Sequence, residues 1–393
     1  MILTKKQEEG LRIAIQRYRD NERYTIISGY AGTGKSTLVR FIINALDVSV
    51  AKVAYATFTG KAAEVLRKKG NANAMTLHRL LYDHFPRQGG GFFRKPKKFL
   101  DYDIIVVDEI SMVPQEMIEL LFSHKCYVIG LGDPFQLPPI CEEDNNRLLD
   151  KPHVFLDEIM RQAAESEIIQ LSMDIRNYRG LELYKGNEVQ VLSPKEVNTG
   201  MMLWADQILV ATNLKRELCN KTMRQLLGYG EEPEEGEKVV CLHNYWEDLS
   251  EGGDALVNGT IGILEAPTVE TITFPRWTRT IKKSVKAITA NIVVDNDIYS
   301  CVNIDRKKLM TEEKSLDWRD EYKLNGLKYK IGDLVPKEFV YAYAITCHKA
   351  QGSQWPKILV FEEKFPFNKE EHARWLYTAV TRAEEKIVLV RNE

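Results

Sequence analysis

Apolar positions along this chain follow two alternating patterns. Short runs apolar at nearly every position, such as Tyr24-Thr25-Ile26-Ile27, Ile104-Ile105-Val106-Val107 and Cys126 to Leu131, predict strands of a parallel sheet covered on both faces. Between them come helical stripes: Leu11, Ala14, Ile15 and Tyr18; then Leu38, Phe41, Ile42, Ala45 and Leu46. The alternation predicts an α/β fold. It resumes with a helix through Ile168, Leu171, Ile175 and Tyr178, a strand from Gln207 to Thr212 and a helix from Leu214 through Leu227, and closes on strands Lys357 to Phe361 and Ile387 to Val390. The pattern breaks in the middle. After the acidic run Glu231 to Glu235, short β-segments at Lys238 to Leu242, Thr260 to Leu264, Thr271 to Phe274 and Ala287 to Val294 predict a small β-barrel inserted in the second α/β domain.

At 393 residues the chain exceeds one core, so two or more domains are expected. Its 54 Lys and Arg against 56 Asp and Glu give a net charge of −2, so any nucleic-acid surface must be local. Six cysteines stand singly, without a C-x-x-C pair, and Met1 to Lys6 carries no apolar signal core. A reduced, cytoplasmic setting is the expectation. No apolar run is long enough to span a bilayer, so no membrane role is expected.

The chemistry is concentrated at strand ends. Gly29-Tyr30-Ala31-Gly32-Thr33-Gly34-Lys35-Ser36 fits G-x-x-x-x-G-K-[ST] between a strand and a helix. Glycines there turn backbone N–H groups toward phosphate oxygens, Lys35 reaches the outer phosphates, and Ser36 meets Mg²⁺. Asp108 and Glu109 end an apolar strand, placing one carboxylate to hold Mg²⁺ through water and one to activate an attacking water. Gln136, past the next strand, is either a γ-phosphate sensor or part of an ordinary Asp-Pro turn. Thr4 and Gln7 read as a capping box, and Gln7 also as an adenine contact. Thr59 and Lys61 stand at a strand-to-helix turn, where they either touch a phosphate backbone or serve the helix. Residues 85–98 carry five basic and three aromatic side chains with no acid, which suits either a solvated hairpin or single-stranded nucleic acid. Arg382 is a surface residue or an arginine finger.

Together these stretches resemble a superfamily 1 helicase of the RecD/Dda type. The resemblance is carried in order by Gly29 to Ser36, Thr57 to Ala63, Thr76 to Leu81, Asp108 to Met112, Gly132 to Leu137, Arg161, Thr346 to Gly352 and Tyr377 to Arg382. It implies two RecA-like parallel-sheet motor domains, at 1–84 with 99–150 and at 151–230 with 331–393. A strand-separating hairpin at 85–98 and an SH3-like β-barrel at 231–330 would be insertions in them. ATP and Mg²⁺ are implied, the nucleotide held by Gln7, Gly29, Gly32, Thr33, Gly34, Lys35, Ser36, Thr37, Asp108, Gln136 and Gln354. Lys35, Glu109, Gln136, Arg161 and Arg382 take the catalytic roles. Thr59, Lys61, Thr76, His78, Thr346 and His348 are the implied DNA contacts, with Phe92 and Phe93 as candidate wedges. The partners implied are single-stranded and forked duplex DNA, and the activity is ATP-driven 5′-to-3′ translocation with unwinding by a monomer, with replication or recombination proteins as associates. A translocase that strips proteins without efficient unwinding is the alternative. Phe58 and Gln354 depart from the family pattern, where proline and glutamate are usual.

Overall fold

The computed structural model describes residues 3–86, 92–138, 146–274, 281, 284–295, 297–317, 319–320, 323–324, 334–364 and 368–392. The side chains of residues 86, 92, 161, 162 and 247 also lie outside the description. The chain divides into two compact units. One holds Met1–Leu81, Lys98–Arg216 and Ile345–Glu393, and the other holds Tyr82–Lys97 and Glu217–Ala344.

In chain order the early strands are β1 (Tyr24–Gly29), β2 (Val53–Thr57), β3 (Ala74–Thr76), β4 (Tyr82–Pro86), β5 (Phe92–Pro96), β6 (Ile104–Val107), β7 (Tyr127–Gly132) and β8 (Val154–Leu156). Six of them form a parallel sheet in the order β3-β2-β6-β7-β1-β8. Residues Ile104 to Val107 are wholly buried, as an all-apolar strand of a doubly covered sheet must be. Ile27, Val106, Ile129 and Val154 join Leu38, Val39 and Ile42 of the helix Lys35–Leu46 in one core. β8 lies past the expected boundary at 150. Its backbone completes the first sheet beside β1, with Ile27 opposite Val154 and Gly29 opposite Leu156.

The second sheet takes β9 (Tyr184–Lys185), β10 (Val189–Leu192) and β11 (Gln207–Val210), whereas β12 (Lys238–Cys241), β13 (Tyr245–Leu249), β14 (Ala255–Leu256), β15 (Ile261–Thr273), β16 (Ser284–Val294), β17 (Asp297–Asp305) and β18 (Phe339–Tyr341) belong to the other unit. β19 (Ala344–Thr346), β20 (Trp355–Phe361) and β21 (Ala383–Val390) then complete the second sheet, ordered β19-β11-β20-β21-β10-β9. Its central pairs β11–β20, β20–β21 and β21–β10 are parallel. An α/β fold with parallel sheets is therefore present, and helix Lys369–Val380 leads into β21.

In the second unit an antiparallel five-stranded sheet runs β17-β16-β15-β12-β18. The two segments expected at Thr260 to Leu264 and Thr271 to Phe274 are one strand, β15. Ala266 takes φ of 46° and the register slips between Glu265 and Thr268, a bulge beside Pro267 that hides the continuous alternation. The hairpin β4–β5 begins at Tyr82, three residues earlier than expected, and groups with this unit.

Candidate functional site

β1 ends in a loop that only glycine tolerates at two points. Gly32 and Gly34 have φ of 76° and 77°, and Gly34 starts the helix Lys35–Leu46. The Lys35 ammonium donates to the Gly29 carbonyl at 2.6 Å and the Tyr30 carbonyl at 3.1 Å, so it lies folded over the loop. Thr33 Oγ1 donates to Tyr30 O at 2.8 Å, and Ser36 and Thr37 occupy the first helical turn.

Gln7 forms the expected capping box and also bonds the loop. Thr4 N donates to its Oε1 at 3.0 Å, completing the capping box of helix Lys5–Arg19. Its Nε2 donates to Thr33 O at 3.0 Å, and the residue is fully buried beneath the loop.

Asp108 and Glu109 follow β6. Glu109 takes φ of 51° and ψ of 47°, a left-handed conformation that costs a non-glycine residue about 1 kcal/mol or more and marks a tight bend at the sheet's carboxyl edge. Its N–H donates to Asp108 Oδ1 at 2.9 Å, leaving the other Asp108 oxygen. Gln136 Nε2 donates to Glu109 Oε1 at 3.4 Å. From the second sheet, Arg382 Nη1 approaches the same oxygen to 3.9 Å. Burial raises the Glu109 pKa above the ordinary carboxylate value, against the opposing pull of the Arg382 and Lys35 charges.

Arg382 is itself buried, with Nε donating to Thr378 O at 3.0 Å, Nη1 to Ser353 O at 3.4 Å and Nη2 to Thr381 Oγ1 at 3.2 Å. Lys35, Asp108, Glu109, Gln136 and Arg382 thus come together from three loops of the first sheet and one helix end of the second. Arg161 begins the short helix Arg161–Ala164, with its side chain outside the described residues. Gln354 stands apart from this cluster, its Oε1 accepting from Lys69 Nζ at 2.7 Å.

The site also contains side chains that spacing gave no reason to single out. Tyr377 Oη accepts from Ala31 N and donates to Asp133 Oδ2, while Thr378 Oγ1 accepts from Leu137 N and Gln351 Nε2 donates to Leu137 O. Buried tyrosines and threonines at helical spacing read as core. Only the contact across two sheets gives them a different meaning.

A magnesium ion fits the donor set. Mg²⁺ takes one or two carboxylates or hydroxyls and completes its shell with phosphate oxygens and water. The exposed Ser36 hydroxyl and the Asp108 carboxylate supply that kind of pair. Among the described residues there is no cluster of three His, Cys, Asp or Glu able to hold a metal by itself.

The expected DNA contacts lie in two places. Thr59 caps the helix Gly60–Lys68, its Oγ1 accepting from Ala62 N at 3.3 Å, and Lys61 pairs with Glu64 at 2.7 Å. The tight turn at Gly352 closes on this one, since a Cβ there would meet Thr59 Oγ1 and Ala62 Cβ. Thr346 precedes the short helix Cys347–Ala350, and burial lowers the His348 pKa. Thr76 Oγ1 accepts from Arg79 N at 3.2 Å, and His78 is buried. In the second unit Phe93 stacks on Phe85 at 5.4 Å beneath the Lys95 ammonium, and Arg94 lies between the rings of Tyr82 and Trp246. Phe92 starts β5, and its side chain is outside the description.

The family described as AAA domain matches residues 3–189, and the UvrD-like helicase C-terminal domain matches residues 341–390. The chain is 28% identical over 189 residues to an ATP-dependent DNA helicase, dda, of Enterobacteria phage T4, covering 44% of this chain and 43% of that protein. It is 25% identical over 415 residues to the ATP-dependent RecD2 DNA helicase of Deinococcus radiodurans, covering 97% of this chain and 49% of that one. The chain therefore spans less than half the length of both relatives. A solved structure of two coordinating Pif1 helicases unwinding forked duplex DNA superposes with a TM-score of 0.52 at 21% identity, covering 100% of this chain and 95% of that one. At that identity the likeness is one of fold.

Proposed function

We propose that this chain, which belongs to the superfamily 1 helicases of the RecD/Dda type, hydrolyses ATP and uses the cycle to travel 5′ to 3′ along single-stranded DNA, opening duplex ahead of it. One observation carries the reading. Glu109 receives Gln136 from its own sheet and Arg382 from the other, beside the Lys35 loop. Phosphoryl transfer needs that set, because catalysis there is mostly positioning and charge stabilisation.

In this reading Lys35 neutralises the outer phosphates, Glu109 takes the proton of the attacking water, Gln136 orients it, and Arg382 with Arg161 offsets charge on the γ-phosphoryl group. Ser36 and Asp108 would hold magnesium, which would supply neutralisation of the phosphate charge. Gln7 fits an adenine edge. The two sheets act as RecA-like motor domains, the five-stranded unit as an SH3-like barrel, and the hairpin as the strand separator. Thr59, Lys61, Thr76, His78, Thr346 and His348 hold the DNA backbone. The protein works as a cytoplasmic monomer. Among the described residues no helix is long and apolar enough to cross a membrane.

The hairpin strands are only five residues each, and that favours a second reading, a translocase that displaces proteins without efficient unwinding. The test is ATP turnover with and without single-stranded DNA in the wild type and in Lys35→Ala, followed by unwinding of forks bearing a 5′ or a 3′ tail. The expected result is DNA-stimulated turnover, lost in Lys35→Ala, and strand release from the 5′-tailed fork alone. A Lys35→Ala variant as active as the parent refutes the ATPase reading. Stimulated turnover with protein displacement but no strand release selects the second reading.

A further inference from the structure

Helix Lys369–Val380 sends one side chain into the phosphate loop. Tyr377 is 1% exposed, and its hydroxyl accepts from Ala31 N at 2.8 Å while donating to Asp133 Oδ2 at 2.6 Å. Asp133 is 3% exposed, and its other oxygen accepts from Phe135 N at 3.0 Å, which fixes the turn after β7. The next residue in that turn is Gln136, whose amide reaches Glu109. The same helix holds the turn at two further points. The Phe135 ring meets Tyr377 edge-on at 5.1 Å, and Thr378 Oγ1 accepts from Leu137 N at 2.9 Å. A continuous line of contacts thus joins Ala31, Tyr377, Asp133, the turn, Gln136 and Glu109.

We propose that Tyr377 is a positioning residue for ATP hydrolysis, its hydroxyl holding the phosphate loop and the Gln136 turn in one register so that Gln136 is aimed at Glu109 and the attacking water. The inference rests on the ATPase reading above and deepens it. The hydroxyl itself undergoes no chemistry. Burial and the Asp133 carboxylate raise its pKa well above the ordinary tyrosine value, so it remains a donor wherever the enzyme works. Phenylalanine at this position keeps the ring and its contact with Phe135, but leaves Ala31 N–H and one Asp133 oxygen without their buried partner. A role in packing alone is met equally well by phenylalanine, so that exchange separates the two.

The experiment measures kcat and KM for ATP at saturating single-stranded DNA in the wild type, Tyr377→Phe, Gln136→Ala and the double variant. Tyr377→Phe is expected to lower kcat by about tenfold to a hundredfold, the scale of a small misplacement in a reacting geometry, and to leave KM within about threefold. The double variant is expected to be no slower than the slower single variant, because both act through one contact line. An unchanged kcat in Tyr377→Phe, a loss confined to KM, or losses that multiply in the double variant overturn the proposal. If Tyr377→Phe does not fold, Asp133→Asn takes its place, with the same loss expected and full activity overturning it. A wild type without ATP turnover, or one that Lys35→Ala leaves undiminished, fails the ATPase reading itself. That result is distinct from an active wild type with an unimpaired phenylalanine variant.

Discussion

Replacing Arg382 with alanine is expected to change both the rate of ATP hydrolysis and its pH dependence. In the proposed role of arginine finger it is worth about 10³-fold or more in kcat. The pH effect follows from the geometry. Glu109 is raised by burial and pulled down by Arg382, whose Nη1 lies 3.9 Å from its Oε1. A unit charge at that distance is worth about 4 kcal/mol at an effective dielectric constant of about 20. The Glu109 side chain remains 21% exposed, which screens part of this. The sign is fixed, since removing a cation disfavours the carboxylate and moves its pKa up. In the proposed role of general base Glu109 must be ionised, so the acid limb of the kcat profile moves to higher pH in Arg382→Ala. Arg382→Lys, which restores the charge but not the fork that bonds Thr378 O and Thr381 Oγ1, is expected to return most of the pH shift and little of the rate. The assay is steady-state turnover at saturating ATP and single-stranded DNA from about pH 5 to 9, the range that spans a raised carboxylate. A wild-type kcat in Arg382→Ala, or an acid limb that stays put or moves down, refutes the reasoning.

Two further outcomes test other parts of the structure. Gly34→Ala places a Cβ against Met160 Sδ and Gln7 Nε2 at φ of 77°, so a loss of about 1–2 kcal/mol in stability and at least about tenfold weaker ATP binding are expected. Thermal melts with and without ATP read both, and unchanged midpoints in both conditions contradict the strain argument. In the second unit, burial pushes Glu338 up, but hydrogen bonds from His243 and Lys314 outweigh it and bring its pKa to about 2. A depressed carboxylate contributes stability above its unfolded value and loses it as pH falls toward the folded one, here about 2 kcal/mol between about pH 4.5 and 2. Urea unfolding at pH 6 and pH 3 should show Glu338→Gln losing less than the wild type on acidification, and equal losses would count against the pairing.

The parallel sheets were legible because their central strands carry runs that are apolar at nearly every position. Ile104 to Val107 cannot be half-exposed without stranding two apolar side chains in water. The extent of each sheet was less legible. Val154-Phe155-Leu156 is too short to show a period, and only its backbone pairing with β1 reveals that it closes the first sheet. β15 was divided because Pro267 and the bulge at Ala266 break its alternation locally, while the ladder to β16 continues from Ile263 to Thr273. The phosphate loop, Asp108, Glu109, Gln136 and Arg382 were legible as motifs. Tyr377 and Asp133 fall inside two of those motif stretches, but their pairing was not legible, because a contact between residues 244 positions apart leaves no periodic trace.

Gln7 shows why paired readings of one residue need not compete. A primary amide offers two donors and an acceptor with two lone pairs. The capping box takes one lone pair, through Thr4 N, and the phosphate loop takes one donor, through Thr33 O. One donor and one acceptor site remain, the combination that complements an adenine edge, which presents an amino donor beside a ring-nitrogen acceptor. The cap therefore fixes the amide's orientation, and the bond to Thr33 ties that orientation to the phosphate loop. Thr59 repeats the arrangement at the other turn. Its hydroxyl accepts from Ala62 N, which still leaves its own hydrogen for a phosphate oxygen. In both cases the local helix signal that spacing makes obvious fixes the orientation of the side chain, so the structural role is compatible with the proposed ligand contact and would preorganise it.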